Sequence, residues 1–199
     1  MTHSPGTTQN PVTTQTPEKP HAIELAPEYA SRLSFESYPA APHIEGVWVQ
    51  NLRKNRGENG AFMELLRLGT EGVQGLPGPL LPQQISVSWA APGRINAFHI
   101  HVREEQNELW CVLQGQLLVW LLDCRAASPT LGARRRLILS GEQPALLHIP
   151  SGVAHGYRAA AEGATLLYAM DAQFDLARPN EGRLPWDHLG AELWEGDRG

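Results

Sequence analysis

The sequence lacks the features that mark membrane, secreted and nucleic-acid-binding proteins. No apolar run approaches the roughly 20 residues that cross a bilayer, and the first 21 residues lack the basic and apolar segments of a secretory signal. The longest basic block is Arg134-Arg135-Arg136 in a chain of net charge −5, so the broad positive field that nucleic acid requires is missing. We therefore expect a cytoplasmic protein with neither a membrane nor a nucleic acid as partner.

Cysteine is also scarce, since only Cys111 and Cys124 are present. The two flank Gly115, and a hairpin turning at that glycine would place position 111 opposite about position 119 rather than 124. The thiols are then poorly placed for a disulfide, and we interpret both as packing residues.

Hydrophobic residues are few at the start of the chain. Residues 1–21 are rich in Thr, Pro, Gln and Ser, which predicts a disordered polar tail, and residues 22–199 are expected to form one domain. After a short helical segment between Pro27 and Leu33, the pattern is one of short apolar segments separated by Gly and Pro. The predicted strands are residues 46–51, 61–68, 84–89, 97–102, 109–113, 117–122, 137–139, 145–149, 156–159 and 164–170. This spacing predicts an all-β sandwich or closed barrel.

Three histidines and a glutamate stand out within this pattern. Because side chains alternate along a strand, His99 and His101 in the strand 97–102 share one face. Glu108 follows, and the turn Pro150-Ser-Gly-Val-Ala leads to His155. A single histidine on a strand is usually structural, but this arrangement predicts one shared site.

These residues resemble the two cupin motifs, Gly-(five)-His-x-His-spacer-Glu-(six)-Gly and Pro-x-Gly-x-x-His. The matching positions are Gly93, His99, His101, Glu108 and Gly115, then Pro150, Gly152 and His155. The spacer between His101 and Glu108 is longer than usual, but choosing Glu104 or Glu105 instead would leave the next glycine too far away. The resemblance implies an all-β double-stranded β-helix, or jelly-roll, barrel with a few short helices.

Within the cupins, the sequence from about residue 44 to 194 resembles the dTDP-4-dehydrorhamnose 3,5-epimerase family. The matching segments are Gly60–Glu64, Gln84–Ser88, Leu109–Gly115, Asp123–Gly132, Leu139–Ser140, Ile149–Tyr157, Leu167–Tyr168 and Trp186–Asp187, with Trp194. The resemblance implies an isomerase that removes acidic protons beside the C4 ketone of a nucleotide-linked sugar and returns them on the opposite face. It also implies a homodimer without a cofactor.

The resemblance assigns roles to particular residues. His99 matches the family's base and Tyr168 its acid, and His155 would bind the developing oxyanion. Gln84, Glu64 and Glu181 would line the substrate pocket. A histidine near its intrinsic pKa suits proton abstraction near neutral pH. Without the resemblance, Tyr168 is better interpreted as a core tyrosine with a satisfied hydroxyl.

Several positions depart from the family pattern. Where the family has arginines for the pyrophosphate, this chain has Asn59 and Asn96. Where the family has a lysine near the keto oxygen, this chain has Glu108. Arg94 and Arg56 are candidate replacements, and Arg94 lies two residues before Asn96, hence on the same strand face and about 6.6 Å away. We identify no residue that matches the family's aspartate partner of the base.

The residues also support two other hypotheses. His101 stands where the family has Gln, so the changes at positions 101 and 108 both introduce metal ligands. His99, His101, Glu108 and His155 would suit Fe, Mn, Ni or Zn with positions left for water or substrate, and His99 would then not be a free base. The third hypothesis is a sugar-binding module without catalysis.

Overall fold

The computed structural model describes residues 22–196. Contacts divide the chain into two units, Met1–Pro39 and Ala40–Gly199. The tail predicted for residues 1–21 lies outside the described residues, and the single domain predicted for residues 22–199 stays a prediction. No helix in the described part is both long and apolar enough to span a membrane, and the cytoplasmic location stays a prediction as well.

The described part of the first unit contains one helical turn, α1, at Pro27–Ala30. Pro27 occupies the first helical position, where its fixed φ suits the helix and its missing N–H leaves no bond unmade. None of the helix residues is buried.

The second unit consists mainly of antiparallel strands, which confirms the all-β prediction. The strands are β1 Trp48–Asn51, β2 Lys54–Gly57, β3 Gly60–Met63, β4 Leu68–Gly69, β5 Gly72–Val73, β6 Gln84–Ala90, β7 Ile95–Ile100, β8 Glu108–Asp123, β9 Arg134–Ser140, β10 Ala145–Ile149, β11 Val153–Met170 and β12 Gly182–Arg183. A 3₁₀ helix, Ala191–Trp194, follows. Eight strands form one sheet in the order β1-β10-β8-β11-β7-β12, with β6 on β11 and β9 on β8, while β2-β3 and β4-β5 are separate pairs.

Two long strands run through the centre of this sheet. β8 and β11 pair along their whole length, from Asp123 opposite Val153 to Glu108 opposite Met170. The hairpin predicted at Gly115 is therefore wrong, because Gly115 lies inside β8 and pairs with Ala164. The glycine does adopt a left-handed φ of 72°, but it does so at an irregularity where the register of β11 shifts, rather than at a reversal of the chain.

The core lies on both sides of β8. Trp110, Val112 and Leu117 belong to one buried cluster, whereas Leu109 and Cys111 belong to another. Both faces of a central strand are covered in this way, so its sequence is continuously apolar instead of alternating. Cys111 and Cys124 are free, and each packs against a hydrophobic cluster, as interpreted from the sequence.

Candidate active site

A cavity of about 330 Å³ opens within the second unit. It is lined by Gln84, Ser88, Asn96, His99, His101, Gln106, Glu108, Trp110, His155, Tyr157, Leu166, Tyr168, Met170, Gln173, Phe174, Asn180 and Glu181. Eight of the ten residues proposed from the sequence as catalytic, binding or metal-ligating line this cavity. Glu64 and Arg94 are the two that do not.

Strand pairing explains why residues distant in sequence meet here. His99 on β7 is the register partner of His155 on β11, and Tyr168 further along β11 is the partner of Ser86 on β6. Along β6, Gln84 and Ser88 line the cavity, while Ile85 and Val87 are more exposed. The period of two along each strand therefore directs its polar side chains to one side of the sheet.

His99 contacts a polar group at each ring nitrogen. Its Nδ1 lies 3.2 Å from Glu181 Oε1, and its Nε2 lies 2.8 Å from Asn96 Oδ1. Burial lowers the pKa of His99 to about 4, repulsion from His155 adds to this effect, and the charge of Glu181 opposes it. The ring is therefore neutral at pH 7. Asn96 Oδ1 only accepts, so its contact with Nε2 is a hydrogen bond when Nε2 carries a hydrogen, whereas the neutral ring that donates Nδ1–H to Glu181 has its lone pair on Nε2.

Glu108 is a carboxylate in the floor of the cavity and is only 4% exposed. One oxygen lies 3.0 Å from His101 Nε2, and the other accepts a hydrogen bond from Trp110 Nε1–H at 2.6 Å. Burial favours the neutral acid, but the hydrogen bond from His101 and the charges of His155 and His101 hold the pKa of Glu108 below its usual range. Burial likewise lowers the pKa of His101, but its bond to Glu108 outweighs burial and raises it overall. The two side chains form a buried ion pair.

The tautomers of His101 and His155 are set by backbone carbonyls. His101 Nδ1 lies 2.6 Å from the carbonyl oxygen of Asn180, and His155 Nδ1 lies 3.0 Å from that of Val153. A carbonyl only accepts, so each Nδ1 carries a hydrogen, and the charged His101 carries a second one at Nε2, toward Glu108. Burial lowers the pKa of His155, so its ring is neutral and its Nε2 presents a lone pair, 3.6 Å from Glu108 Oε2.

Three of the four metal ligands proposed from the sequence form a group. Donor atoms of His101, Glu108 and His155 all lie within 4.8 Å of one another, and all three residues are buried. His99 is not part of this group.

Two tyrosines line the cavity from β11. Burial raises the pKa of Tyr168, and the charge of Glu108 adds to this, so its phenol stays protonated at neutral pH. The hydroxyl of Tyr157 is buried and has no hydrogen-bond partner among the described residues.

Gln106, Trp110, Tyr157 and Asn180 line the cavity but were not proposed from the sequence. Gln106 and Trp110 lie two residues before and after Glu108. Because residues two apart along a strand share a face, this spacing could have identified both as lining residues. Asn180 lies in the segment after β11, and nothing in its local sequence pointed to a site.

Among residues 22–196, no lysine or arginine lines this cavity. Arg94 is exposed just before β7, and Arg56 forms an ion pair with Glu142 at 2.7 Å. Glu64 forms an exposed ion pair with Arg67, also at 2.7 Å. Asn96 does reach the cavity, where it contacts His99.

Comparisons with known proteins agree on one family. A model of the family described as dTDP-4-dehydrorhamnose 3,5-epimerase matches residues 41–193. The spore coat polysaccharide biosynthesis protein SpsL of Bacillus subtilis is 37% identical over 147 residues, which is 72% of this chain and 91% of that protein. The dTDP-4-dehydrorhamnose 3-epimerase of Streptomyces niveus is 24% identical, over 67% of this chain and 65% of its own.

Solved structures agree as well. A dTDP sugar isomerase from Desulfovibrio desulfuricans has a TM-score of 0.64 at 26% identity, over 76% of this chain and 91% of its own. The Bacillus anthracis dTDP-4-dehydrorhamnose 3,5-epimerase, solved with TDP and PPi bound, has a TM-score of 0.65 at 23% identity, over 76% and 89%. The latter likeness concerns the fold alone, and it confirms the cupin barrel predicted from the sequence.

Proposed function

This chain belongs to the dTDP-4-dehydrorhamnose 3,5-epimerase family, and we propose from that membership that it is a sugar epimerase acting beside the ketone of a 4-keto sugar. The observation that carries the proposal is the pairing of a neutral His99 with the Glu181 carboxylate in the cavity that also contains Tyr168. A base and an acid in one cavity are the groups that epimerisation by proton transfer requires.

We propose that His99 Nε2 removes the proton from a carbon next to the ketone. The electron pair of that C–H bond forms the C=C bond of an enolate, and the negative charge moves to the former ketone oxygen. The imidazolium that results keeps one N–H toward Glu181 and directs the other toward Asn96 Oδ1. Two acceptors already in position stabilise the protonated base without rearrangement.

The acid in this mechanism is Tyr168. Its phenol donates a proton to the same carbon from the opposite face, which inverts the configuration and leaves a phenolate. Exchange with water then returns a proton to Tyr168 and removes one from His99, so no proton is gained or lost overall. These proton transfers need no organic cofactor.

Glu181 takes a different role from the one proposed from the sequence. The sequence assigned Glu181 to substrate binding, whereas its 3.2 Å contact with His99 supports a role in positioning the base. Arg183 donates a hydrogen bond to the same Glu181 oxygen at 2.6 Å and so fixes the carboxylate. Glu181 then supplies the acidic partner of the base that the sequence did not reveal.

We propose that the sugar is nucleotide-linked but that only its ring enters the cavity. A volume of about 330 Å³ lies at the small end of the ~300–1,000 Å³ typical of ligand sites, and a whole nucleotide sugar would extend beyond it. Within the described part of the chain the lining contains no lysine or arginine, which also argues against a diphosphate inside, since diphosphates favour charge-assisted contacts.

We also propose a homodimer, which the family resemblance implied. Ile85, Val87 and Trp89 are exposed on the outward face of β6, and Trp89 is 72% exposed. Among the described residues, β6 pairs only with β11, so its other edge is open. A strand with an apolar outer face and an open edge suits association with a second copy across a twofold axis.

The experiment that tests the proposed activity follows deuterium uptake from D₂O into 4-keto nucleotide sugars by NMR. The wild-type protein should introduce deuterium beside the ketone and invert that carbon. His99→Asn should abolish uptake, Tyr168→Phe should reduce inversion by about 10²-fold or more, and Glu181→Gln should lower kcat while leaving KM nearly unchanged. His43→Asn, which alters an exposed histidine, is the control and should behave as wild type. Uptake at the wild-type rate in His99→Asn would refute the assignment of the base.

A further inference from the structure

When the enolate forms, its negatively charged oxygen needs a hydrogen-bond donor or a cation beside it. The described side chains that line the cavity offer few such donors. The role proposed for His155 requires an N–H at Nε2, yet its Nδ1 donates to the carbonyl oxygen of Val153, and its Nε2 lies 3.6 Å from Glu108 Oε2. The lysine of the family is Glu108 here, which adds negative charge. Because Glu108 balances the positive charge of His101, the described side chains that line the cavity leave no unbalanced positive group to stabilise the enolate.

We propose that His101, Glu108 and His155 bind a divalent transition-metal ion of the Zn²⁺ class, with open coordination positions facing the cavity. The three donor atoms lie within 4.8 Å of one another. His101 Nε2 is 3.0 Å from Glu108 Oε1, and His155 Nε2 is 3.6 Å from Glu108 Oε2. Two ligands at the usual zinc distances of ~2.0–2.1 Å in tetrahedral geometry are about 3.3 Å apart, so small side-chain adjustments would suffice.

The histidines are already oriented as ligands. Each donates Nδ1–H to a backbone carbonyl, His101 to Asn180 and His155 to Val153, and each directs Nε2 toward Glu108. Histidines that ligate metals almost always donate the other ring N–H in this way, because the bond fixes both tautomer and ring plane. Since Nε2 of His155 has no hydrogen bond at its 3.6 Å separation from Glu108, a lone pair remains for an ion.

The carboxylate has supporting contacts of the same kind. Trp110 Nε1–H donates to one oxygen of Glu108 at 2.6 Å, and Gln106 Nε2 donates to the other at 3.2 Å. A carboxylate this buried needs a compensating cation, and among residues 22–196 no lysine or arginine lines the cavity. Without an ion, protonated His101 fills this role; a divalent ion would take its place, and His101 would release its Nε2 proton on binding.

The ion would leave the base free. His99 lies outside the ligand group, and its nitrogens contact Glu181 and Asn96. Its ring centroid is 6.0 Å from that of His155, so the base and the ion would share one cavity. Metal ligation and base catalysis are thus compatible in this chain, although the sequence presented them as alternatives. Binding of the ion does not depend on the proposed function. Its placement of positive charge beside the ketone oxygen does rest on that function.

Metal binding can be tested without any substrate. Full-length protein stripped with a chelator would be titrated with Zn²⁺ by calorimetry and with Co²⁺ by visible absorption. We expect one ion per chain, at least about 100-fold weaker binding in His101→Gln and Glu108→Gln, and wild-type binding in His99→Gln and His43→Gln. No binding to the wild type, or equal binding in Glu108→Gln, would overturn the proposal.

A milder substitution covers the case in which a ligand variant fails to fold. Trp110→Phe keeps the aromatic ring and removes only the N–H that holds Glu108, so we expect affinity for Zn²⁺ to fall about 10- to 100-fold. Unchanged affinity in a folded Trp110→Phe would count against the site. Metal binding without deuterium uptake in any 4-keto sugar would contradict the proposed function alone. Equal uptake by stripped and loaded protein would contradict the proposed catalytic role of the ion.

Discussion

The hydroxyl of Tyr157 should affect the stability of the fold and the binding of substrate in opposite directions. It is 2% exposed and lines the cavity, yet its hydroxyl has no hydrogen-bond partner among the described residues. A buried hydroxyl without a partner opposes folding, and a sugar hydroxyl would satisfy it. Tyr157→Phe should therefore leave the free energy of unfolding unchanged or raise it by up to about 1 kcal/mol, while KM increases about 2- to 10-fold. Urea denaturation and steady-state kinetics measure the two effects, and a destabilised variant with normal KM would contradict both expectations.

Residues whose positions follow from strand alternation were predictable, and those from loops were not. His99 and His101 share a face because they are two apart on one strand, and the Pro-x-Gly turn located His155. Glu181 was proposed only as a lining residue. Its contact with His99 depends on how the segment after β11 returns to the sheet, and no local periodicity encodes that path.

At the scale of elements, the sequence located most of the strands but missed β2, β5 and β12, extended β3 beyond Met63 and divided two others wrongly. Predicted strands 109–113 and 117–122 are parts of β8, and 156–159 and 164–170 are parts of β11. Glycine at position 115 fits both a hairpin turn and an irregular point within a strand, since both use positive φ. Only the pairing partner distinguishes them, and that partner is 49 positions away at Ala164.

Gly115 should be intolerant of any side chain. Its φ is 72°, and an added Cβ would overlap the carbonyl oxygen of Gly163 on the paired strand. Gly115→Ala should lower the free energy of unfolding by about 2–5 kcal/mol, from backbone strain together with overpacking. Gly75→Ala is the matched control, because Gly75 has φ of 76° but open space around it, so only the strain of about 1–2 kcal/mol is expected. Equal losses in urea denaturation would show that the overlap with Gly163 is relieved.

The turn after β8 is held by Asp123, whose side chain is fully buried. Arg125 Nε donates to it at 2.9 Å, and the hydroxyls of Ser128 and Thr130 each donate at 2.6 Å.

The hydrogen bond from Arg125 leads the causes that hold the pKa of Asp123 well below its usual range, and those from Ser128 and Thr130 add to it. A lowered folded-state pKa gives stability that is fully present above the unfolded pKa and is lost as pH falls through the folded one. Asp123→Asn should therefore cost about 2–3 kcal/mol at pH 7, and the gap to wild type should narrow below about pH 4. Urea denaturation across pH 3–8 checks this, and a gap independent of pH would contradict it.

At the scale of the whole molecule, the outward face of β6 determines the proposed assembly. Ile85 and Val87 are 52% and 39% exposed beside the more exposed Trp89, which gives an apolar strip on a strand with an open edge. The same strand directs Gln84 and Ser88 into the cavity, so association through β6 would also fix one wall of the active site. The alternation of residues 84–89 divides the strand into a polar and an apolar face. Alternation alone does not reveal which face is covered by a partner.

Light scattering should give twice the chain mass of 21.9 kDa for the wild-type protein. Trp89→Lys should weaken the dimer by about 30-fold or more, because burying an unpaired ammonium replaces an aromatic anchor of the kind that contributes ~2 kcal/mol or more. Ile138→Lys, at a comparably exposed apolar position on β9, should remain dimeric. If Trp89→Lys becomes monomeric and loses activity while circular dichroism stays that of the wild type, the β6 face supports the active site through the dimer. A monomeric wild type, or dimers unaffected by Trp89→Lys, would contradict association through this strand.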